Sequence, residues 1–168
     1  MDIELNFGIS RAQYSITSET IRMLGVPEIL NFYFTRIFPI QRSVVRSVRP
    51  GARYWRSVSL LGAVKRLDPS MLTKSAIILG MGETEEEIRA TMRDLRDAGV
   101  DILTLGQYLR PSEHHIPLDR WVTPDEFRRW KEIGEGELGF AHVESGPLVR
   151  SSYHAKEQAR QTVAGSAG

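Results

Sequence analysis

Beyond Val45 the chain alternates between short, uniformly apolar runs and capped amphipathic stretches, and this alternation restricts the fold more than any other feature. Arg49-Pro50-Gly51 marks a turn. The 3.6-residue period over Tyr54 to Leu67 then predicts a helix with Trp55, Val58, Leu61 and Val64 on one face, stopped by Asp68-Pro69. Ser75-Ala76-Ile77-Ile78-Leu79 follows, apolar on both sides as a buried parallel strand is, and Gly80-Met81-Gly82 closes it. Thr84 and Glu87 have the spacing of a capping box for a helix that buries Ile88, Met92 and Leu95. Gly99 stands where a left-handed C-terminal cap is wanted.

A second strand is expected from Val100 to Leu105, ending at Gly106. Residues Gln107 to Val122 form a loop long for an αβ unit, which marks it as a candidate functional loop. Thr123 as N-cap, Pro124 at the first helical position and Glu126 at the third open another helix. That helix should bury Phe127, Trp130, Ile133 and Leu138 and end at Gly139. A third strand, Phe140 to Val143, runs into Ser145-Gly146-Pro147, and a last helix is expected near Ser151.

Alternating strands and helices build parallel sheets. About three strands are too few to close a barrel, so the expected fold class is α/β: a partial (βα) barrel with flanking helices and an open edge able to pair with another chain. The expected domains are an N-terminal segment 1–44, the α/β unit 45–160 and a disordered tail 161–168. Segment 1–44 holds Phe7, Phe32, Phe34 and Phe38, four of the six phenylalanines, without a clear period. Its aromatic stretch 31–38 suits a core-facing strand or an interaction surface.

Composition excludes several kinds of chemistry. With no cysteine there is no disulfide, thiol nucleophile, thiolate zinc site or cysteine-held iron–sulfur cluster on these residues. The net charge of +1, from 22 basic and 21 acidic residues, gives no electrostatic case for nucleic acid or for a polybasic membrane contact. Asp2 and Glu4 stand where a secretory signal would be basic, and the most apolar stretch, Ile29 to Ile40, is interrupted by Arg36. A cytoplasmic location is expected.

In parallel α/β architectures, ligands bind beyond the C-terminal ends of the strands. Those ends read Gly80-Met81-Gly82-Glu83, Gly106-Gln107-Tyr108 and Ser145-Gly146-Pro147, each with a glycine that allows close backbone approach or simply makes a tight turn. Glu83, before a helix N-terminus, either stabilises that helix or hydrogen-bonds a ligand. Adjacent His114 and His115 rarely point the same way, which disfavours a metal clip while leaving one of them able to touch substrate, and His142, in or beside a strand, suits a structural role. Arg150-Ser151-Ser152-Tyr153-His154-Ala155 is the densest polar cluster, and it lacks the nucleophile-elbow pattern a Ser–His acyl transferase would need.

Three segments resemble the lipoyl synthases: Thr73-Lys74-Ser75 through Gly80-Met81-Gly82-Glu83-Thr84, Gly99 through Gln107-Tyr108-Leu109-Arg110-Pro111-Ser112, and Ser145-Gly146-Pro147 through Ser151-Ser152-Tyr153-His154-Ala155. The likeness runs from about Ser43 to Ala159, roughly two-thirds of the chain. It implies the C-terminal half of a radical S-adenosylmethionine enzyme on a partial (βα) barrel. Such enzymes insert two sulfurs into octanoyl groups carried on lipoyl domains or the H protein, using two four-iron four-sulfur clusters.

By the same resemblance, Ala76 to Glu83 is similar to the family's GxIxGxxE segment bordering S-adenosylmethionine, with Ala76 replacing its first glycine. Gly80, Gly82, Glu83, Gly106, Gln107 and Tyr108 are the implied cofactor-binding residues, and Ser152 matches a serine ligand of the auxiliary cluster. The family's cluster cysteines lie in its other half and have no counterpart here, so neither cluster is expected on this chain. A truncated homologue inactive alone, half of a split enzyme completed by a cysteine-bearing chain, and a non-catalytic module binding S-adenosylmethionine or a lipoyl domain are the readings that follow.

Overall fold

A computed structural model of the chain describes residues 3–6, 13–16, 38–39 and 54–149. The expected helix at Ser151, Ser152 itself and the tail 161–168 lie outside the described residues, as does most of segment 1–44. Strands β1 (Ile3–Asn6) and β2 (Gln13–Ile16) pair antiparallel with each other. Strand β3 (Phe38–Pro39) joins the main sheet, whose order is β3-β4-β5-β6 and whose pairings are all parallel. Its long members are β4 (Lys74–Leu79), β5 (Ile102–Gln107) and β6 (His142–Gly146). The α/β class and the three principal parallel strands are as the alternation predicts.

Helix α1 (Tyr54–Leu67) precedes β4, α2 (Glu85–Asp97) links β4 to β5, and α3 (Pro124–Glu132) links β5 to β6. The start of α2 follows from the chain chemistry: the Thr84 hydroxyl accepts from the Glu87 amide while the Glu87 carboxylate accepts from the Thr84 amide. Gly99 adopts φ +84°, the left-handed conformation a side chain resists. Thr123 caps α3 through the Glu126 amide, with Pro124 in the first turn. After Glu132 the helix widens into one π turn, Ile133–Glu137. A Cβ on Gly134 would meet Val143 Cγ2 at 2.7 Å, so that turn seats closely against β6.

Alternate residues of the strands face the helices. Ile77 and Leu79 of β4, Leu103 and Leu105 of β5 and Val143 of β6 form one core with Ile88, Met92 and Leu95 of α2 and with Phe127 and Trp130 of α3. Truncating a ring such as Trp130, which is fully buried, costs about 3–5 kcal/mol.

Two expectations are corrected. Trp55 is half exposed, and its neighbour Tyr54 is buried in its place, donating its hydroxyl to Asp94 Oδ2 of α2 at 2.6 Å. The buried stripe therefore starts one residue earlier, at Tyr54, Val58 and Leu61. Strands β5 and β6 each start two residues later than expected and run further, β5 to Gln107 and β6 to Gly146. Phe140 and Ala141 are spent on the connection, where their amides donate to Gly134 O and Asp101 O.

Candidate functional site

The parallel register sets the C-terminal strand ends side by side, with Ile78 paired to Gly106 and Gly106 to Gly146. Beyond β4 the backbone turns through Gly80 (φ +98°) and Gly82 (φ +96°). The two glycines serve different ends. A Cβ on Gly80 would fall 2.4 Å from Gln107 Nε2 and 2.6 Å from Arg120 O, whereas beside Gly82 nothing is closer than Asp119 Cγ at 3.8 Å. Gly80 is therefore a point of close backbone contact, whereas Gly82 is exposed and meets Asp119 only at ordinary contact distance.

Glu83 is buried, and its carboxylate folds back over this turn. Oε1 accepts from the Gly80 amide at 2.5 Å and Oε2 from the Met81 amide at 2.8 Å. The side chain thus satisfies two backbone donors that no strand partner reaches, and it holds the turn closed.

Gln107 is the next expected site residue, and its carboxamide is fully used. Nε2 lies within hydrogen-bond distance of Leu79 O (3.3 Å), Tyr108 O (3.1 Å) and Arg120 O (3.2 Å), while Oε1 accepts from the Val122 amide at 2.9 Å. Tyr108 donates its amide to Leu79 O at 2.8 Å and its hydroxyl to Ile116 O at 3.0 Å. The Asp119 amide donates to Gly80 O at 3.0 Å. The loop 108–123 is thereby strapped across the end of β4.

Arg120 and Glu126 complete the strap, and nothing in the local sequence marks their pairing. The Arg120 guanidinium makes a two-pronged contact with Glu126, at 2.7 and 2.8 Å, and approaches Glu83 Oε1 to 3.8 Å. Hydrogen bonding from Arg120 holds the Glu126 carboxyl below the usual carboxylate range, against the opposing pull of burial, and Trp130 Nε1 adds a bond at 3.3 Å. The same pair raises Arg120 above its ordinary value. The only sequence signal was the length of the loop, since these partners meet through the fold.

The structure brings Gly80, Glu83, Gln107 and Tyr108 together around one strand end, with Gly82 exposed beside Asp119 and Gly106 in the adjacent strand. The other polar candidates stay apart. His114 and His115 are exposed on the loop, where Ser112 Oγ pairs with His115 Nδ1 at 2.9 Å. His142, at the opposite end of β6, lies between Glu135 (3.8 Å) and Glu144 (3.3 Å). Among the described residues no cluster of three His, Asp or Glu side chains is arranged to hold a metal ion. No helix among them is long and apolar enough to cross a membrane.

No family model matches the chain. Curated relatives do. The lipoyl synthase of Rubrobacter xylanophilus is 60% identical over 122 residues, 73% of this chain and 38% of the relative. Those of Koribacter versatilis and Pelobacter propionicus are 52% and 46% identical over 146 and 154 residues, covering 86% and 90% of this chain and 46% of each relative. The chain thus spans less than half the length of these proteins. The 122-residue match leaves 46 of the 168 residues outside it, so residues 47–122 lie within it wherever it begins. Those residues include β4, the turn beyond it, β5 and most of the strap. Through its C-terminal part, the chain belongs to the lipoyl synthase family.

Proposed function

We propose that this chain is the portion of a lipoyl synthase that borders S-adenosylmethionine, and that these 168 residues do not insert sulfur by themselves. The supporting observation is the glycine-built end of the sheet: Gly82 is exposed and uncrowded beside Asp119, while Glu83 and Gln107 consume the polar groups of the turn. A turn whose own donors are satisfied offers a rigid, close-fitting backbone edge to a flat ligand. Gly80, Gly82, Gly106 and Tyr108 would line that edge. Glu83 and Gln107 act on it as positioning residues, holding the turn and the strap.

When bound, S-adenosylmethionine supplies the radical that starts the family reaction. The chain's own residues bind it, fix its orientation and cover it with the loop 108–123. The four-iron clusters do not fit these residues, because iron–sulfur assembly needs thiolates and the sequence has no cysteine. Ser152 is a proposed contributor to the auxiliary cluster only where cysteines from outside these residues anchor it. Octanoylated lipoyl domains or the H protein would be the substrates and the cytoplasm the location. The domain division at residues 44, 45 and 160 is part of the same proposal.

Calorimetric titration of S-adenosylmethionine into the purified chain tests the binding half of the proposal; saturable binding supports it and absence of heat overturns it. Iron and sulfide analysis tests the other half. A chain that carries iron and converts octanoyl to lipoyl groups unaided refutes it. Rescue of a lipoate auxotroph only when a cysteine-bearing N-terminal portion is co-expressed is the expected result for a completed enzyme.

A further inference from the structure

We infer that Glu135 shuts the outer edge of the sheet by occupying a backbone amide of β6, through which a second copy of this chain would otherwise add a strand. The contact lies near the N-terminal end of β6, away from the Gly80 turn, and does not depend on what binds there.

The register defines the edge. β6 ends the order β3-β4-β5-β6, with no strand on its far side among the described residues. In a parallel pair, alternate residues of a strand turn their backbone groups toward the neighbour. His142 donates its amide to Asp101 O at 3.4 Å, so His142, Glu144 and Gly146 face β5. Val143 and Ser145 face outward. Such a row of outward donors and acceptors is a template for a further strand. A second copy carries the identical row, and two copies about a two-fold axis would pair their β6 edges antiparallel.

The chain closes this row with a side chain. Val143 donates its amide to Glu135 Oε1 at 2.9 Å. Glu135 reaches it because the π turn Ile133–Glu137 lays the helix end against the strand. Gly134 is buried where a Cβ would meet Val143 Cγ2 at 2.7 Å, and its carbonyl accepts from the Phe140 amide at 3.0 Å. The next residue therefore arrives beside the edge.

A carboxylate there opposes strand addition in two ways. It fills the donor an incoming strand needs with a charge-assisted bond. It also places a charge that such a strand would strip of water. Lys131 Nζ at 3.6 Å and His142 Nδ1 at 3.8 Å flank the same oxygen, and Glu144 lies 3.3 Å from His142 Nε2.

The test compares the full 168-residue chain with Glu135→Ala, Glu135→Gln and Lys131→Ala, by sedimentation velocity across a range of concentrations and by hydrogen exchange. Glu135→Ala is expected to self-associate at least tenfold more tightly than the wild type. Diluted to monomer, it should exchange the Val143 amide at least tenfold faster; concentrated, it should regain protection at Val143 and Ser145 together. Lys131→Ala, which removes only a flanking charge, should behave as the wild type. Should Glu135→Ala fail to fold, the isosteric Glu135→Gln carries the comparison: it keeps an acceptor without the charge, and should associate at least threefold more tightly than the wild type. Association equal to that of the wild type in every folded Glu135 variant, Val143 exchange unchanged in Glu135→Ala, or association without protection at Val143 and Ser145 overturns the inference.

Discussion

Replacing Glu83 by Gln tests whether the strand-end turn is held by a carboxylate. The wild-type side chain accepts from two amides, Gly80 and Met81, and faces the Arg120 guanidinium at 3.8 Å. Glutamine keeps one acceptor and turns a donor NH2 toward an amide that is itself a donor. One buried N–H loses its partner, and the remaining bond loses its charge assistance. An unpaired buried group costs about 1–3 kcal/mol, and a hydrogen bond to a charged group is worth about 1.5–3 kcal/mol where a neutral one is worth about 1. Glu83→Gln should therefore destabilise the chain by about 2–4 kcal/mol, a large share of the roughly 5–15 kcal/mol typical of a whole domain. Denaturant unfolding gives the total. Hydrogen exchange at the Gly80 and Met81 amides shows whether the loss is local, with both expected to exchange much faster in the variant. A loss under about 0.5 kcal/mol with both amides still protected would refute the argument.

Three further outcomes are expected. Gly80→Ala should cost more than about 3 kcal/mol, from the left-handed φ and the 2.4 Å approach to Gln107, whereas Gly82→Ala, strained in φ but uncrowded, should cost about 1–2 kcal/mol; paired unfolding curves decide it. Glu126 is held below its usual range, so its contribution is present above the unfolded value near 4.5 and lost as pH falls through the lower folded value; Glu126→Gln should remove that acid-side step from a stability–pH curve. Burial lowers Lys74 from 10.5 to about 8, with Glu144 opposing, so between those values the unfolded chain binds more protons and stability rises with pH. That rise, up to about 3 kcal/mol, should vanish in Lys74→Met, as urea titrations from pH 7 to 11 would show.

The features read from sequence were those encoded over a few neighbouring residues. The Thr84–Glu87 box, the Thr123 cap with Pro124, the Gly99 conformation and the apolar runs of β4 and β5 all depend on contacts within one or two turns, and each stands in the structure. The face of α1 was misplaced because Tyr54 is buried by a partner forty residues away, Asp94, and periodicity alone cannot register that. Strand β6 was misplaced because its entry is consumed by the π turn. At the candidate site, glycines mark the strand ends in any reading of the chain. The use of Glu83 was not legible, since its three partners are two backbone amides folded back on it and an arginine 37 positions on. The Arg120–Glu126 clamp was invisible for a related reason: both residues suit an exposed loop and a first helical turn equally well.

Gln107 gives the strap a property of its own. Its carboxamide joins three segments of backbone: Oε1 accepts from the Val122 amide, and the two hydrogens of Nε2 are shared among the carbonyls of Leu79, Tyr108 and Arg120. Anchorage of the loop is thus concentrated in residues 107–108 at one end and 116–122 at the other. The stretch between them, which carries both adjacent histidines, is left free of structural duty toward the sheet. Divergence in length or chemistry there can retune what the molecule meets at its surface while the architecture beneath stays the same.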